Sequence, residues 1–552
     1  MSSDRTRFDR GTAGVVLRRS LLIAAITALA ALALAADPPA PARPEPLPLW
    51  FYCSTNLSDE DKVDELAKVW KRAAHAGYQH VVLADPKFSR LGEMKDEYFD
   101  HVRQLRKLAD ELGLEIVPLT LPIGRSQSLL APAPDYCEGL PVVRVPFEVE
   151  GGIAHVVQDP RTVLGPRPDA ADFGVEVGDY AASMGRNLRR SRFRFTIPVA
   201  PWRGYRVSVE IRAREYTGRP LIHALAGDRA VSQVRRIGAK RNQDWTEHSI
   251  TFNSLDHREL TIWFGVWQHA KGSLEWRNWK IEALGPQDVL RRDGAPVVLE
   301  GAVEGSDVAM FADSLLGNSP WRGQFEPHDA PVIRSTLPDG SRFVASWTQA
   351  AVVYGDIVTA CLGEPRVLEL LADEARHVRE TFESKGYLVS YSEIRALGTD
   401  SSCIRTGLTP GQLVARHVGQ AIALLPGSQV YVWNDIFDPF QNAKPGYYLV
   451  GGDLAGSWEG LPRDVIVMNW NHGHMRESLE FFAGRGHRQV IAGYYDGAPE
   501  EIGDLIRAAR GVRGVEGVMY ATWENDYDDL EAFATAARAA WSEKGGGGCF
   551  GR

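Results

Sequence analysis

The fold is decided by residues 49–120, where short apolar runs alternate with amphipathic stretches of helical period. The apolar runs are LWFYC at 49–53, HVVLA at 80–84 and EIVPLT at 115–120. Between them, residues 59–76 and 98–112 carry apolar side chains at the spacing of a helix that covers a core with one face. The stretch predicts alternating strands and helices, and therefore parallel strands.

The same pattern resumes far downstream, after a helical stretch at 367–384. Five further apolar runs follow, at 387–392, 429–434, 464–470, 489–495 and 517–523, with helical stretches such as 477–484 and 500–510 between them. Eight such runs are what a (β/α)8 TIM barrel requires. The alternation also permits a doubly wound open sheet, although no glycine-rich phosphate loop follows the first run. We predict an α/β fold with a TIM barrel in two parts, 49–125 and 366–543.

The residues between the two parts of the barrel have a different pattern. Runs of period two, at 205–213, 248–253, 259–267 and 274–281, replace the helical spacing. We predict an all-β sandwich inserted after the third strand, at 140–286, and a connecting region at 287–365. The stretches 245–252, 260–267, 272–276 and 279–282 resemble the C-terminal half of jelly-roll carbohydrate-binding modules, which implies a carbohydrate-binding insert. Most of its tryptophans are expected in the core, with one or two free to stack on a sugar.

Composition and charge exclude several classes of protein. The chain has 552 residues, of which 44% are hydrophobic and 24% charged, so it is globular and too long for a single core. A net charge of -9 argues against an electrostatic nucleic-acid binder. Residues 186–241 nevertheless hold 15 arginines and lysines against three acidic residues. This basic stretch indicates either an anionic glycan partner or a solvated face that offsets the acidic barrel.

Residues 1–36 have the pattern of a signal peptide. Arg18 and Arg19 precede an apolar run at 21–36, and Ala33-Leu34-Ala35 is typical of a cleavage site. The apolar run, of about 16 residues, is short for a membrane-spanning helix of about 20, although a retained anchor is the alternative. A proline-rich linker at 37–48 and a flexible tail at 544–552 complete the chain. We expect export to the periplasm or the medium, with no stable membrane insertion after cleavage.

Chemically useful side chains follow the last five predicted strands. The strand ends read SYSEIR at 390–395, WNDIFDP at 433–439, NWNHGH at 469–474, YYD at 494–496 and TWEND at 522–526. Parallel strands of a barrel present their carboxyl ends at one face, and aromatic rings beside carboxylates are typical of sugar sites. The catalytic candidates are Glu393, as general acid, with Asp435 and Asp496. The substrate-binding candidates are Tyr391, Arg395, Trp433, Trp470, His472, Tyr495, Trp523 and Glu524.

These strand ends resemble the catalytic barrel of family 20 glycoside hydrolases, the β-N-acetylhexosaminidases. Ser392-Glu393 stands where the family has Asp-Glu. The other matches are Trp433-Asn434-Asp435 for a Trp followed by an acid, Tyr494-Tyr495-Asp496 for Tyr-Leu-Asp, and Trp523-Glu524 for Trp-Ser/Thr-Glu. The resemblance implies that Glu393 protonates the glycosidic oxygen while the substrate's own 2-acetamido oxygen attacks the anomeric carbon.

Ser392 departs from the family, whose Asp orients the acetamido group and stabilises the positive charge. Three alternatives stay open: Asp435 or Asp496 replaces that Asp, two carboxylates act on a sugar without an acetamido group, or the barrel binds glycans without cleaving them. We predict an exported glycoside hydrolase acting on a glycan, with an N-acetylhexosamine as the implied sugar. A non-catalytic glycan-binding protein is the alternative. The expected partner is a polysaccharide or oligosaccharide, and no nucleic acid, metal or cofactor is expected.

Overall fold

The computed structural model describes residues 47–543, apart from 186, 189, 233–236, 314, 318–327 and 355–356. The predicted signal peptide, nearly all of the predicted linker and the predicted tail lie outside the described residues. Of the helices described, none is both long enough and apolar enough to cross a bilayer.

Eight parallel strands close into a barrel. They are β1 (Leu49–Ser54), β2 (His80–Ala84), β3 (Glu115–Thr120), β4 (Gly386–Val389), β5 (Gln429–Trp433), β6 (Ile466–Asn469), β7 (Arg488–Tyr494) and β8 (Val515–Ala521). β8 pairs in parallel with β1, so the sheet has no free edge. The eight-stranded parallel barrel is confirmed and the open sheet is excluded.

Helices surround the barrel because each buries one apolar face against the strands. They are α1 (Glu60–His75), α2 (Asp96–Leu112), α3 (Gln127–Leu130), α4 (Pro365–Phe382), α5 (Ser401–Arg405), α6 (Pro410–Ile422), α7 (Met475–Gly484), α8 (Ile502–Ala508) and α9 (Leu530–Ser542). Local sequence fixes their starts: the Asp59 side chain accepts from Lys62 N, and Thr409 forms a capping box with Gln412. Short 3-10 turns occur at Pro86–Glu93, Pro134–Tyr136, Asp435–Phe437, Ser457–Gly460, His472–His474 and Pro499–Glu501.

Three antiparallel sheets separate the two parts of the barrel. One contains Val175–Gly178, Ala181–Met184, Asn187–Leu188, Gly204–Thr217, Gln243–Asn253 and Ala270–Ala283. A second contains Ala170–Ala171, Ser191–Pro198, Leu221–Ala226, Arg229–Ala230 and Glu259–Val266, and the buried residues of both sheets form one apolar core. The third contains Gly139–Glu150, Ile153–Val156, Val298–Glu300, Ile333–Arg334 and Arg342–Ala350.

The third sheet corrects the predicted boundaries of the insert. Residues 139–150, predicted to begin the sandwich, pair with residues 342–350, which were predicted to be a connecting region. The unit of two sheets with a common core therefore runs from about Ala170 to Ala283. Strand pairing over about 200 residues leaves no local signal in the sequence.

Four of the ten arginines with described side chains in the basic stretch have acidic partners. Ion pairs join Arg192 to Asp172, Arg206 to Asp329, Arg212 to Glu275 and Arg241 to Glu215. Of the tryptophans, Trp276 and Trp279 are core, whereas guanidinium groups lie over the rings of Trp245 and Trp263. These four ion pairs compensate part of the positive charge of the stretch.

The insert packs against the barrel beside two of its strand ends. Ala351 and Val353, which follow the third sheet, share with the core of the insert an apolar cluster that also contains Ala396 and Leu449, in the segments that follow β4 and β5. Ala396–Leu397 and Leu449–Val450 also pair as two short parallel strands. The segments that carry the candidate site residues are therefore held by the insert as well as by the barrel.

Candidate active site

Glu393 lies four residues beyond the end of β4, in a turn with left-handed backbone (φ 54°). The loop after β3 packs tightly on this turn, since Ile123 N donates to Ser390 O at 3.0 Å. A Cβ on Gly124 would lie 1.9 Å from Ser392 O, so only glycine fits there. The close approach brings the next residue, Arg125, to the Glu393 carboxylate.

Two arginines hold both carboxylate oxygens of Glu393. Arg125 donates from Nε to Oε2 at 3.1 Å, and its Nη2 lies 3.0 Å from the same oxygen in an ion pair. Arg395 donates to Oε1 from Nη2. The Glu393 side chain is 25% exposed, so a ligand at the mouth of the barrel can reach it. Charge-assisted bonds of this kind fix the position of the carboxylate.

Arg395 is buried against the rings of two tyrosines that contact each other. Its guanidinium carbon lies 5.0 Å from the ring centre of Tyr354 and 5.3 Å from that of Tyr448, and the two hydroxyls hydrogen-bond each other at 2.6 Å. Within the described part of the chain, Nε and Nη1 of Arg395 have no hydrogen-bond partner. A buried N–H without an acceptor costs about 1–3 kcal/mol.

Asp435 is fully buried next to Glu393. Its Oδ2 accepts from Glu393 N at 2.8 Å and from Asn442 Nδ2 at 3.0 Å, and the Ser392 side chain also hydrogen-bonds to this carboxylate. Burial raises the pKa of Asp435 from 3.8 to about 6; the Glu393 carboxylate adds to the rise and the hydrogen bonds oppose it. The carboxylate beside Ser392-Glu393 is therefore that of Asp435.

Five aromatic side chains from five strand ends form a wall at the same mouth. Trp470 and Tyr495 stack with ring centres 5.7 Å apart. The Trp523 ring lies 5.2 Å from Tyr52, 5.9 Å from Trp433 and 5.5 Å from Tyr495, and Trp523 is 49% exposed. A half-exposed indole within such a cluster presents a flat apolar face, the surface on which a sugar ring stacks.

Tyr495 joins the aromatic wall to the carboxylates. Burial raises the pKa of its hydroxyl, and the nearby charges of Asp435 and Glu393 raise it further. Among the residues described, this buried hydroxyl has no hydrogen-bond partner, and neither does Asp435 Oδ1. His472 packs edge-on against the Tyr495 ring at 4.7 Å. Unpaired buried donors and acceptors beside exposed rings form a site suited to a polar ligand.

Two other candidates have neighbours other than Glu393. Asp496 accepts from the Thr522 hydroxyl and from Trp523 N, the latter at 3.0 Å, so it holds the end of β8 and positions Trp523. Glu524 is exposed and lines a groove of about 1160 Å³ together with Ser54, Asn56 and Tyr98. The geometry favours Asp435 over Asp496 as the neighbour of the acid.

Tyr391 is a core residue, which corrects its prediction as a substrate-binding residue. It is fully buried against α6, where its hydroxyl hydrogen-bonds His417 Nδ1 at 2.6 Å. Leu388 of β4 faces the barrel interior, whereas Tyr387, Val389 and Tyr391 share the opposite face, which packs on the helices. Alternation along the strand carries this signal in the sequence.

We expect Tyr391→Phe to reduce stability without reducing function. The variant leaves His417 Nδ1 without its partner in the core, which costs about 1–2 kcal/mol in the free energy of unfolding. Urea denaturation measures the loss, with Tyr180→Phe at a half-exposed site as the control. A more than tenfold loss of substrate binding or turnover in folded Tyr391→Phe would contradict its assignment to the core.

Gly124→Ala tests the close approach at the Ser392-Glu393 turn. The added methyl has to displace the backbone of that turn, so we expect a loss of about 1–3 kcal/mol in stability and about tenfold in activity. Gly484→Ala is the control, because a Cβ there meets no atom within 4 Å. Unchanged melting temperature and turnover in Gly124→Ala would show that the two segments do not pack as described.

Sequence reasoning missed four residues of the site. Arg125 lies five positions after the end of β3, so its place after a strand end could have indicated a site residue. Asn442 and Tyr448 lie in the long segment after β5, and Tyr354 comes from the segment between the third sheet and α4. No local pattern connects these three to Glu393, because long-range packing alone brings them together.

Two clusters of potential metal ligands lie outside this site. Ligand atoms of Glu138, Cys361 and Cys403 lie within 4.8 Å of one another, as do those of Asp288, Asp313 and His328. In the first cluster Cys403 Sγ donates to Glu138 Oε2 at 3.1 Å, and in the second His328 Nε2 lies 2.6 Å from Asp313 Oδ2. Both clusters are held by hydrogen bonds within the protein.

No protein-family model and no curated protein matches this chain. Among solved structures it is similar to a β-N-acetylhexosaminidase over 91% of this chain and 72% of that one, at 10% identity and a TM-score of 0.38. For a family 20 β-N-acetylglucosaminidase the coverages are 90% and 70%, with 8% identity and a TM-score of 0.33. A CBM4 structure is similar over 20% of this chain and 77% of that one, with 15% identity and a TM-score of 0.17. Likenesses this weak carry no argument about function.

Proposed function

We propose that this protein is an exported glycoside hydrolase, with Glu393 as general acid/base and Asp435 as the second carboxylate. The observation that supports the proposal is the contact between Glu393 and Asp435 beside a wall of five aromatic rings at the carboxyl ends of the barrel strands. Rings that cover the apolar face of a sugar and a carboxyl group that transfers a proton are the two requirements of glycoside hydrolysis.

In the proposed reaction the glycosidic C–O bond breaks and the departing oxygen takes a proton from Glu393. A water oxygen then adds to the anomeric carbon, and the proton that it releases returns to Glu393, so the enzyme is regenerated. Trp470 and Trp523 bind the faces of the sugar, and the buried Trp433 packs behind Trp523. Tyr495 donates its hydroxyl proton in a hydrogen bond to a substrate oxygen.

For an N-acetylhexosamine, the 2-acetamido oxygen attacks the anomeric carbon first and water opens the resulting ring. Asp435 then provides the negative charge that Ser392 lacks, and it does so from a buried position where charge stabilisation is strong. Its contact with both Ser392 and Glu393 supports this role. Because its pKa is about 6, Asp435 carries this charge above that pH.

Non-catalytic glycan binding is the second candidate. One observation favours it: both oxygens of Glu393 accept from arginines, so neither is free to carry a proton to a glycosidic oxygen. The aromatic wall serves binding equally well. The two functions differ only in turnover.

A panel of 4-nitrophenyl glycosides and natural oligosaccharides tests the proposal. Release of nitrophenol or of reducing ends by the purified protein, saturable in substrate, supports hydrolysis. Binding by calorimetry without turnover supports the second candidate, and neither binding nor turnover of any sugar contradicts both. Sequencing the N-terminus of the protein secreted by an expression host tests export, for which cleavage near Ala35 is expected.

A further inference from the structure

We infer that Cys361 and Cys403 form a disulfide in the exported protein, so that this pair is a site of oxidative modification. The inference rests on the export that is part of the proposed function, because disulfides persist in oxidising compartments. It does not depend on hydrolysis of a sugar. The observation that carries it is the contact between the two sulfur atoms, which lie 3.5 Å apart.

The two cysteines form a buried pair. Of the four cysteines in the described part of the chain, all of them free thiols, Cys361 and Cys403 are the two whose sulfur atoms are in contact. Cys361 is 0% exposed and Cys403 is 1% exposed. The S–S bond of a disulfide is about 2.0 Å long, so the two sulfur atoms have to approach by about 1.5 Å to form it. A movement of that size is within the reach of side-chain rotation.

The backbone segments that carry the two cysteines are also in direct contact. A Cβ on Gly363 would lie 2.6 Å from Cys403 N, so only glycine fits there. Arg292 holds the same two segments together, since it forms ion pairs with Glu364, at 3.1 Å, and with Asp400. Two cysteines can be bridged without backbone movement only where their Cα atoms lie within about 7 Å of each other. Close packing of the two backbones is the arrangement that such a bridge requires.

Glu138 accepts a hydrogen bond from the pair in its reduced state. Cys403 Sγ donates to Oε2 of Glu138 at 3.1 Å, and Oε1 accepts from Thr399 N and Asp400 N, both at 3.1 Å. Oxidation removes the thiol donor and leaves the two backbone donors in place. Burial, together with the charge of Asp400, raises the pKa of Glu138 to about 7. Below that pH the carboxyl group is neutral, so the loss of one donor leaves no unpaired buried charge there.

The oxidant is itself a disulfide, either of a small thiol or of a thiol oxidase in the export compartment. During folding, the thiolate of one cysteine attacks a sulfur of that disulfide and expels the other sulfur as a thiolate. The thiolate of the second cysteine then attacks the mixed disulfide and releases the remaining sulfur. The oxidant gains two electrons, and the two protons of the cysteines pass to the released thiolates. In the folded protein both cysteines are buried, so the bond forms before the two segments pack.

The bond closes a loop that carries the proposed acid. Residues 361–403 contain α4, β4 and the turn with Glu393. A cross-link lowers the entropy of the unfolded chain, and the effect grows with the length of the loop. We therefore expect the oxidised protein to melt about 3–8 °C higher than the reduced protein, the scale for a loop of about 40 residues in a large chain.

Peptide mapping tests the inference. Protein secreted by an expression host, and protein refolded in reduced and oxidised glutathione, are alkylated under denaturing conditions and digested with trypsin without a reductant. We expect residues 343–366, with Cys361, and residues 396–405, with Cys403, to be recovered as one linked mass that separates on reduction. Recovery of both peptides in alkylated form from both preparations overturns the inference. So does a link from either peptide to Cys53 or Cys137.

Variants connect the change in melting temperature to this pair. Cys361→Ala and Cys403→Ala are expected to melt at the same temperature with and without a reductant. Cys53→Ala, at a buried position of β1, is the control and is expected to keep the difference. A reductant-dependent shift that persists in Cys361→Ala would assign the effect to another pair and overturn the inference. If neither alanine variant folds, the peptide map of the wild type still decides.

Failure of the disulfide and failure of the proposed function are distinguishable. The peptide map needs no substrate, so linked peptides in a protein that hydrolyses no sugar contradict the proposed hydrolase and support the disulfide. Linked peptides after refolding, in a protein that the host does not secrete, contradict export alone. Free thiols in an active, secreted protein contradict the disulfide alone.

Discussion

Glu393→Gln is expected to lower kcat by about 100-fold or more on every substrate that the wild-type protein hydrolyses. Glutamine keeps the size of the side chain, but its single oxygen accepts from only one of the two arginines, and it has no acidic proton to transfer to a leaving group. Because the aromatic wall is unchanged, we expect KM to change by less than about threefold. Steady-state kinetics on the best substrate of the glycoside panel measures both constants.

Glu369→Gln provides the matched control for this substitution. Glu369 is an exposed glutamate of α4 whose ion pair with Arg366 lies on the surface, so its loss is expected to leave kcat unchanged. Circular dichroism on both variants establishes that they are folded. Equal kcat in wild type and Glu393→Gln would remove Glu393 from the reaction.

Asp435→Asn is expected to lower kcat to a similar extent and to make the protein more stable at pH 8. The loss of activity follows from removing the only negative charge that contacts both Ser392 and Glu393 in the described site. In the wild type, kcat/KM is expected to fall as the pH drops below about 6, where Asp435 takes up a proton. The pH–rate profile of the variant is expected to lack that step.

The gain in stability follows from the direction of the pKa shift of Asp435. The folded protein binds this proton more tightly (pKa about 6) than the unfolded chain does (3.8). The contribution of Asp435 to stability is therefore fully present below pH 3.8 and is lost as the pH rises through 6. At pH 8 the buried carboxylate costs up to about 3 kcal/mol, which asparagine does not incur. Urea denaturation at pH 5 and pH 8 measures the difference.

Two further variants test whether the effects expected for Asp435→Asn are specific to that residue. Asp373→Asn, on the exposed face of α4, is expected to change neither activity nor the pH dependence of stability. Asp496→Asn is expected to be milder than Asp435→Asn, because Asp496 acts on Trp523 through the backbone. An Asp496 variant as inactive as Glu393→Gln, with a mild Asp435 variant, would reverse the two assignments.

The barrel could be predicted because its signals are local. β2 and β3 have the bounds of the predicted runs, 80–84 and 115–120. The ends of the other six strands lie within two residues of the ends of their predicted runs, except the C-terminal end of β4. The fourth run was predicted to extend to residue 392, whereas β4 ends at Val389. The left-handed turn at Glu393 follows from packing against Gly124, which no periodicity records.

By itself the sequence determined the eight strands, their order and the face on which the candidate residues gather. These follow from apolar periodicity and from the rule that parallel strands of a barrel end at one face. Only the tertiary structure decided which of those residues meet. It placed Asp435 rather than Asp496 beside Glu393, and it buried the Tyr391 side chain in the core. It also brought Arg125 and Tyr354 to the site from distant segments. The physical reason is that a charge or a ring acts over a few ångströms, and packing sets distances on that scale between residues far apart in the chain.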